Sequence, residues 1–144
     1  VFPIYPYTTG LPRALQKPPK VFFFDTGDVD GDTGARFENL VATHLLKRYQ
    51  FLEDRDGYDY KLFYLRDKEK REVDFLVTKD NKPHLLVEAK WDSTEISSSL
   101  RYFANKLKPK HVVQVVGSLK RQFVIDGVNV LSATQYFSSL ETHG

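Results

Sequence analysis

Three charges, Asp74, Glu88 and Lys90, are set into two short apolar runs, Val73–Val77 and Leu85–Ala89, within the stretch REVDFLVTKDNKPHLLVEAK. A buried charge costs several kcal/mol unless it is paired or bound to a metal. Side chains alternate along a strand, which places Val73, Phe75 and Val77 on one face and Glu72, Asp74 and Leu76 on the other. In the second run Leu86, Glu88 and Lys90 share a face, with Glu88 and Lys90 about 7 Å apart. If the runs pair through the turn at Asn81, Asp74 comes alongside Glu88. Two neighbouring carboxylates repel, and the repulsion makes a site for Mg²⁺ or Mn²⁺, which accepts one or two carboxylates and takes phosphate oxygens as further ligands. A lysine two residues on could position or deprotonate a water, or stabilise charge developing on a phosphate. The pattern leaves a second arrangement open: an exposed edge on which Asp74 and Glu88 pair with Lys90 and Arg71.

A third carboxylate belongs to the strongest helical pattern. Phe37, Leu40, Val41, Leu45 and Tyr49 form an i, i+3, i+4 stripe that predicts a helix from about Gly34 to Tyr49, with Asp32 or Thr33 as its cap. Glu38 precedes Val41, Ala42 and Leu45 by three, four and seven positions, so it begins the inward face. It is equally a residue type that the helix dipole favours in a first turn.

Other elements must hold these residues. KVFFFD (Lys20–Asp25) reads as extended and Asp25–Gly34 as a loop. Lys61–Asp67, Arg71–Asp80 and Pro83–Trp91 read as three strands, the last two joined by a turn at Asp80–Lys82. A helix is expected over Ser97–Leu107, with Pro109 beyond its end, and a strand buried on both faces over His111–Gly117. Gln122–Ile125 is a weak strand and Ala133–Leu140 a short closing helix. Pro3, Pro6, Pro12, Pro18 and Pro19 mark residues 1–19 as an arm or linker, with one domain over 20–144. The chain opens on Val-Phe and contains no Met, which reads as a piece excised from a longer protein.

The totals narrow the function classes. The 144 residues suffice for one domain with a real core. No run approaches the roughly 20 apolar residues of a membrane span, and no signal-peptide pattern opens the chain. The absence of Cys excludes disulfides, thiolate metal sites and a Cys nucleophile, and fits a cytoplasmic protein. A formal charge of +2 does not by itself identify a nucleic-acid binder. Arg66, Lys68, Lys70 and Arg71 are diluted by Asp67, Glu69 and Glu72 and read as a solvated turn, whereas Arg101, Lys106, Lys108 and Lys110 form a candidate phosphate-contacting surface.

Asp28, Asp30 and Asp32 occupy the first, third and fifth positions of a calcium loop, but Thr33 and Asn39 stand where that loop needs Gly and an acidic residue. His44, His84, His111 and His143 lack ligand spacing, and no GxSxG elbow occurs. Trp91 reads as a packing cap over the sheet end rather than a base-stacking platform.

An acidic residue on one strand followed by Glu-x-Lys at the end of the next resembles the PD-(D/E)XK nuclease superfamily, with Val73 in place of the name-giving Pro. The superfamily's α-β-β-β-α-β order is the order read above, and Glu38 in GARFENL matches a Glu found on its first helix. KVFFFDTG, GARFENLVATHLL, LFYLRD, REVDFLV and LLVEAKW further resemble the C-terminal domain of unknown function that follows the ATPase domain in archaeal and bacterial AAA-type ATPases. The resemblance covers about Lys20 to Val116. It implies an α/β fold with a restriction-endonuclease-like core, a central mixed sheet flanked by helices. It also implies Mg²⁺ or Mn²⁺ on Glu38 (directly or through water), Asp74, Glu88 and the main-chain carbonyl of Ala89, with Lys90 assisting an attacking water. DNA, less so RNA, would be the substrate, and an ATPase domain would precede this chain. No Walker A pattern is present, so this chain is not itself the ATPase. The alternative is a non-catalytic module of the same fold that docks DNA or a protein and reports to an ATPase.

Overall fold

The computed structural model describes residues 1–8 and 18–142. Pro12 and His143 of the sequence reading lie outside them. Eight strands form one mixed sheet in the order β2-β1-β3-β4-β5-β6-β8-β7, flanked by three helices. The strands are β1 (Phe2–Pro6), β2 (Lys20–Phe22), β3 (Tyr60–Arg66), β4 (Glu72–Lys79), β5 (Lys82–Lys90), β6 (His111–Val116), β7 (Phe123–Ile125) and β8 (Val128–Ser132). The helices are α1 (Thr33–Asp56), α2 (Ser98–Leu107) and α3 (Ala133–Thr142). The expected α/β architecture is thus present, with β3, β4 and β5 as an antiparallel meander and α2 crossing over to β6, which runs parallel to β5. Among the described residues no helix is long and apolar enough to cross a membrane.

Local chemistry explains the boundaries. The Asp32 side chain accepts a hydrogen bond from the Ala35 N–H at 2.8 Å, and Gly57 ends α1 in the left-handed region at φ 78°. The helix therefore runs seven residues beyond the expected Tyr49. Its apolar stripe fades after Leu52, but nothing unfavourable to helix intervenes before the glycine. Ser97 caps α2 through Leu100 N–H, and Lys108 ends it with φ 48°. At the β4–β5 hairpin both Asp80 and Asn81 are left-handed, as a two-residue turn of type I′ requires.

Both faces of the sheet are covered. Phe37, Val41 and Leu45 of α1 and Tyr136 of α3 pack with Phe75, Val77, Val87 and Val115 on one face. Leu100 and Phe103 of α2 pack with Val73, Leu76, Leu86 and Val116 on the other. Strand β6 contributes to both cores, as its continuous apolar run predicts.

Two expectations need correction, and one strand is new. Phe2–Pro6, read as part of an arm, is a strand: Phe2 and Ile4 are buried, and β1 pairs with β2 over Phe2–Ile4 and with β3 over Tyr5–Pro6. Pro3 and Pro6 are tolerated because these ladders are short and incomplete. Strand β8, unanticipated from the sequence, pairs with β7 across a turn in which Asp126 and Gly127 are left-handed. Val73 does not share the face of Phe75 and Val77. The register passes from Phe63–Leu76 to Leu65–Val73, so two residues of β4, Asp74 and Phe75, oppose one of β3. That bulge turns Val73 to the α2 face and leaves Asp74 at the irregularity.

Candidate functional site

The bulge determines how Asp74 is held. The pairing of β4 with β5 ends at Phe75–Val87, and the N–H of Ala89 then donates to Asp74 Oδ2 at 2.8 Å. The carboxyls of Asp74 and Glu88 lie within hydrogen-bonding reach of each other. Glu88 is 5% exposed. Burial, then the hydrogen bond and the charge of Glu88, push Asp74 well above the ordinary aspartate range, against the Ala89 N–H and Lys20. Burial likewise raises Glu88, with Glu38 and Glu72 adding to it while Asp74's hydrogen bond and Lys90 oppose it. The pair therefore holds a proton at a pH where free carboxylates have lost theirs.

Glu38 projects from the second turn of α1 toward the same place. Burial, then the charge of Asp74, lifts its pKa to about 7, with Lys20 pulling the other way. Lys20 Nζ lies 3.8 Å from Glu38 and is hydrogen-bonded to Glu72. Burial lowers the Lys20 pKa, but the Glu72 hydrogen bond and the charges of Glu38, Glu72 and Asp74 more than offset it, and the net shift is upward.

All four expected residues, Glu38, Asp74, Glu88 and Lys90, open onto one cavity of about 380 Å³. It lies beside the C-terminal end of β5, between the starts of α1 and α2. Lys20, Lys70, Glu72, Ser97 and Ser99 line it as well and were not anticipated as site residues. Glu72 carried a signal, since it alternates with Asp74 at i, i+2, but the surrounding Arg66–Arg71 charges made it look solvated. Lys20 carried none: it arrives because β2 hydrogen-bonds to β1 at the register Ile4–Lys20.

The expected basic surface is not brought together. Arg101 is ion-paired with Asp126 and lines an adjoining cavity of about 430 Å³ that also contains Lys90 and Ser97. Lys106, Lys108 and Lys110 belong to the other end of α2 and the loop into β6. There β6 begins, with His111 beside Leu85, whereas Lys90 pairs with Val116 at the acidic end. A ten-residue helix, about 15 Å long, separates them from the carboxylates. Trp91 packs edge-on against Phe37 at 5.6 Å and covers Gly117, whose N–H donates to the Lys90 carbonyl. Gln114, fully buried beside Glu88 on β6, donates to the carbonyls of Ser93 and Glu95 and so fixes the loop leading to Ser97.

The donor chemistry suits a hard divalent cation. Glu38, Glu72, Asp74 and Glu88 offer carboxylate oxygens, and the raised proton affinities of Glu38, Asp74 and Glu88 mark too little positive charge for the number of acids. As the side chains stand, no three acidic or histidine groups among the described residues are gathered closely enough to hold an ion. The Lys20 ammonium supplies counter-charge instead, bonded to Glu72 and near Glu38.

Comparison with known proteins gives one match: the model of a domain of unknown function, DUF4143, covers residues 33–136. This span runs from the first residue of α1 into α3 and includes Glu38, Asp74, Glu88 and Lys90. No curated protein and no solved structure matches the chain.

Proposed function

The chain belongs to the DUF4143 family, and we propose that it is a metal-dependent nuclease domain of the PD-(D/E)XK type that hydrolyses phosphodiester bonds, in DNA rather than RNA. The observation that carries this reading is the meeting of Glu38 from α1, Asp74 from β4, and Glu88 and Lys90 from β5 in one cavity. Glu38, Asp74, Glu88 and the Ala89 carbonyl would hold Mg²⁺ or Mn²⁺, which supplies Lewis-acid stabilisation of phosphate charge and a more acidic water. Lys90 faces the same cavity with an ammonium that attracts a phosphate and stabilises negative charge as it develops. The Ser97 and Ser99 side chains line the same wall. Arg101, although ion-paired, stands in the adjoining cavity with Lys90 and is the one residue of the expected basic set near the acids.

The resemblance to domains that follow AAA-type ATPases supports an ATPase domain as the natural partner, which would deliver or remodel the nucleic acid. The test is incubation of the chain with end-labelled single- and double-stranded DNA and RNA in Mn²⁺. Cleavage that disappears with chelator, with Asp74→Asn and with Lys90→Ala supports the reading. Cleavage that survives Asp74→Asn contradicts it.

A second reading rests on Lys20. Its ammonium already neutralises part of the acidic cluster, which favours a non-catalytic module that docks DNA or a protein for an ATPase. DNA or partner binding insensitive to both Mn²⁺ and Asp74→Asn is the outcome this reading expects.

A further inference from the structure

A second cavity, of about 390 Å³, lies at the opposite end of the sheet, where β5 approaches the start of β6 and α1 meets α3. Its chemistry is the reverse of the acidic site. Arg48, Lys79, His84, Lys110 and His111 line it, and none of its described lining residues is acidic. Two donors on its wall, Arg48 Nη2 and Tyr136 Oη, are buried and have no hydrogen-bond partner. Arg48 is 9% exposed and Tyr136 4%. A buried donor without an acceptor destabilises the fold, and more so when it is charged.

The two imidazoles stand edge to face at 5.4 Å. Burial lowers both pKa values; His111, Lys79 and Lys110 depress His84 further, and Lys110 does the same to His111. The Lys79 and Lys110 charges that add to this depression form a positive field, and such a field attracts an anion. Asn129 and Ser139 add two uncharged polar residues, and the rest of the wall is apolar and aromatic, from Leu85, Val113 and Leu131 on the sheet and the rings of Tyr49 and Tyr60. A cation would be repelled here, and an uncharged apolar guest would leave Arg48 and Tyr136 unpaired.

We propose that this cavity binds a small organic oxyanion, a phosphate or carboxylate head on an aromatic or apolar body. The head accepts from Arg48 and Tyr136 with Lys110 and the histidines nearby, and the body lies against the tyrosine rings. The site does not depend on the acidic cavity and stands whether or not that cavity is catalytic.

The test is an NMR titration of the full chain, following the His84 and His111 ring protons at constant ionic strength set with NaCl. The probes are inorganic phosphate, adenosine monophosphate and benzoate. Saturable shifts are expected for adenosine monophosphate or benzoate, with inorganic phosphate about tenfold weaker than the nucleotide because it lacks the body. Saturation by the nucleotide alone assigns a phosphate head, and saturation by benzoate alone a carboxylate. Arg48→Gln should weaken binding about tenfold or more, the loss expected for a hydrogen bond to a charged group. Lys110→Gln, an exposed position that leaves packing intact, should weaken it several-fold. Absence of saturable shifts with all three probes overturns the proposal, as does wild-type affinity in Lys110→Gln together with Arg48→Gln, or in Lys110→Gln alone should Arg48→Gln not fold.

Discussion

Replacing Glu38 by Gln removes a carboxyl that burial, and then the charge of Asp74, holds at a pKa of about 7 against an ordinary value of 4.5. The raised value means that the folded chain binds this proton more tightly than the unfolded chain does. The contribution favours folding fully below pH 4.5 and is lost as the pH rises through 7. At 1.36 kcal/mol for each tenfold change, the loss is at most about 3–4 kcal/mol. The Glu38 side chain is 28% exposed, and solvent screening reduces that figure. Glu38→Gln is therefore expected to be about 1–3 kcal/mol more stable than wild type at pH 8.5, and close to it at pH 5. Urea unfolding followed by the fluorescence of Trp91, the single tryptophan, measures this directly. Parallel stability across the two pH values, or a less stable variant at pH 8.5, would refute the picture of Glu38 as a carboxylate crowded by other acids.

Lys20→Met should act in the opposite sense. It removes the cation bonded to Glu72 and near Glu38, and about 1–2 kcal/mol of stability should be lost at pH 8.5 and less at pH 5, where Glu38 is protonated. Equal losses at both pH values in the same urea assay would contradict a purely electrostatic role. Gly117→Ala introduces a Cβ that would stand 2.3 Å from the Trp91 ring and 3.1 Å from its carbonyl oxygen. The ring must leave its contact with Phe37, so a destabilisation of about 1–3 kcal/mol and a shifted tryptophan emission are expected. An unchanged emission spectrum would show that the ring is not packed there.

The readable part of the sequence is the part governed by local pattern. Alternation around Val73–Val77 and Leu85–Ala89, the Asp80–Asn81 turn and the Ser97 cap are near-neighbour chemistry, and they fixed β4, β5 and α2 closely. The Asp126–Gly127 turn was equally local and announced the β7–β8 hairpin, but the short flanking runs hid it. Strand β1 was masked by its prolines, because tolerance for proline depends on which neighbours a strand acquires. The bulge at Asp74 is a product of pairing with β3, and no residue between Leu62 and Val77 signals it. For the candidate site, Glu38, Asp74, Glu88 and Lys90 were legible from type and spacing. Lys20 was not, since a residue brought 52 positions along the chain to Glu72 leaves no periodic trace. The basic residues misled for a related reason. Lys106, Lys108 and Lys110 are close to Arg101 in sequence, but the axis of α2 carries them to the far end of the sheet.

The most direct measurement is Mn²⁺ binding by calorimetry at pH 7.5, on the wild type and on Asp74→Asn. The asparagine keeps an oxygen for the Ala89 N–H, so the bulge survives while the charge is removed. The account predicts that the wild type binds Mn²⁺ with release of protons from the acidic cluster, and that Asp74→Asn does not bind. Wild-type-like binding in Asp74→Asn, or no binding by the wild type with or without DNA, would contradict it.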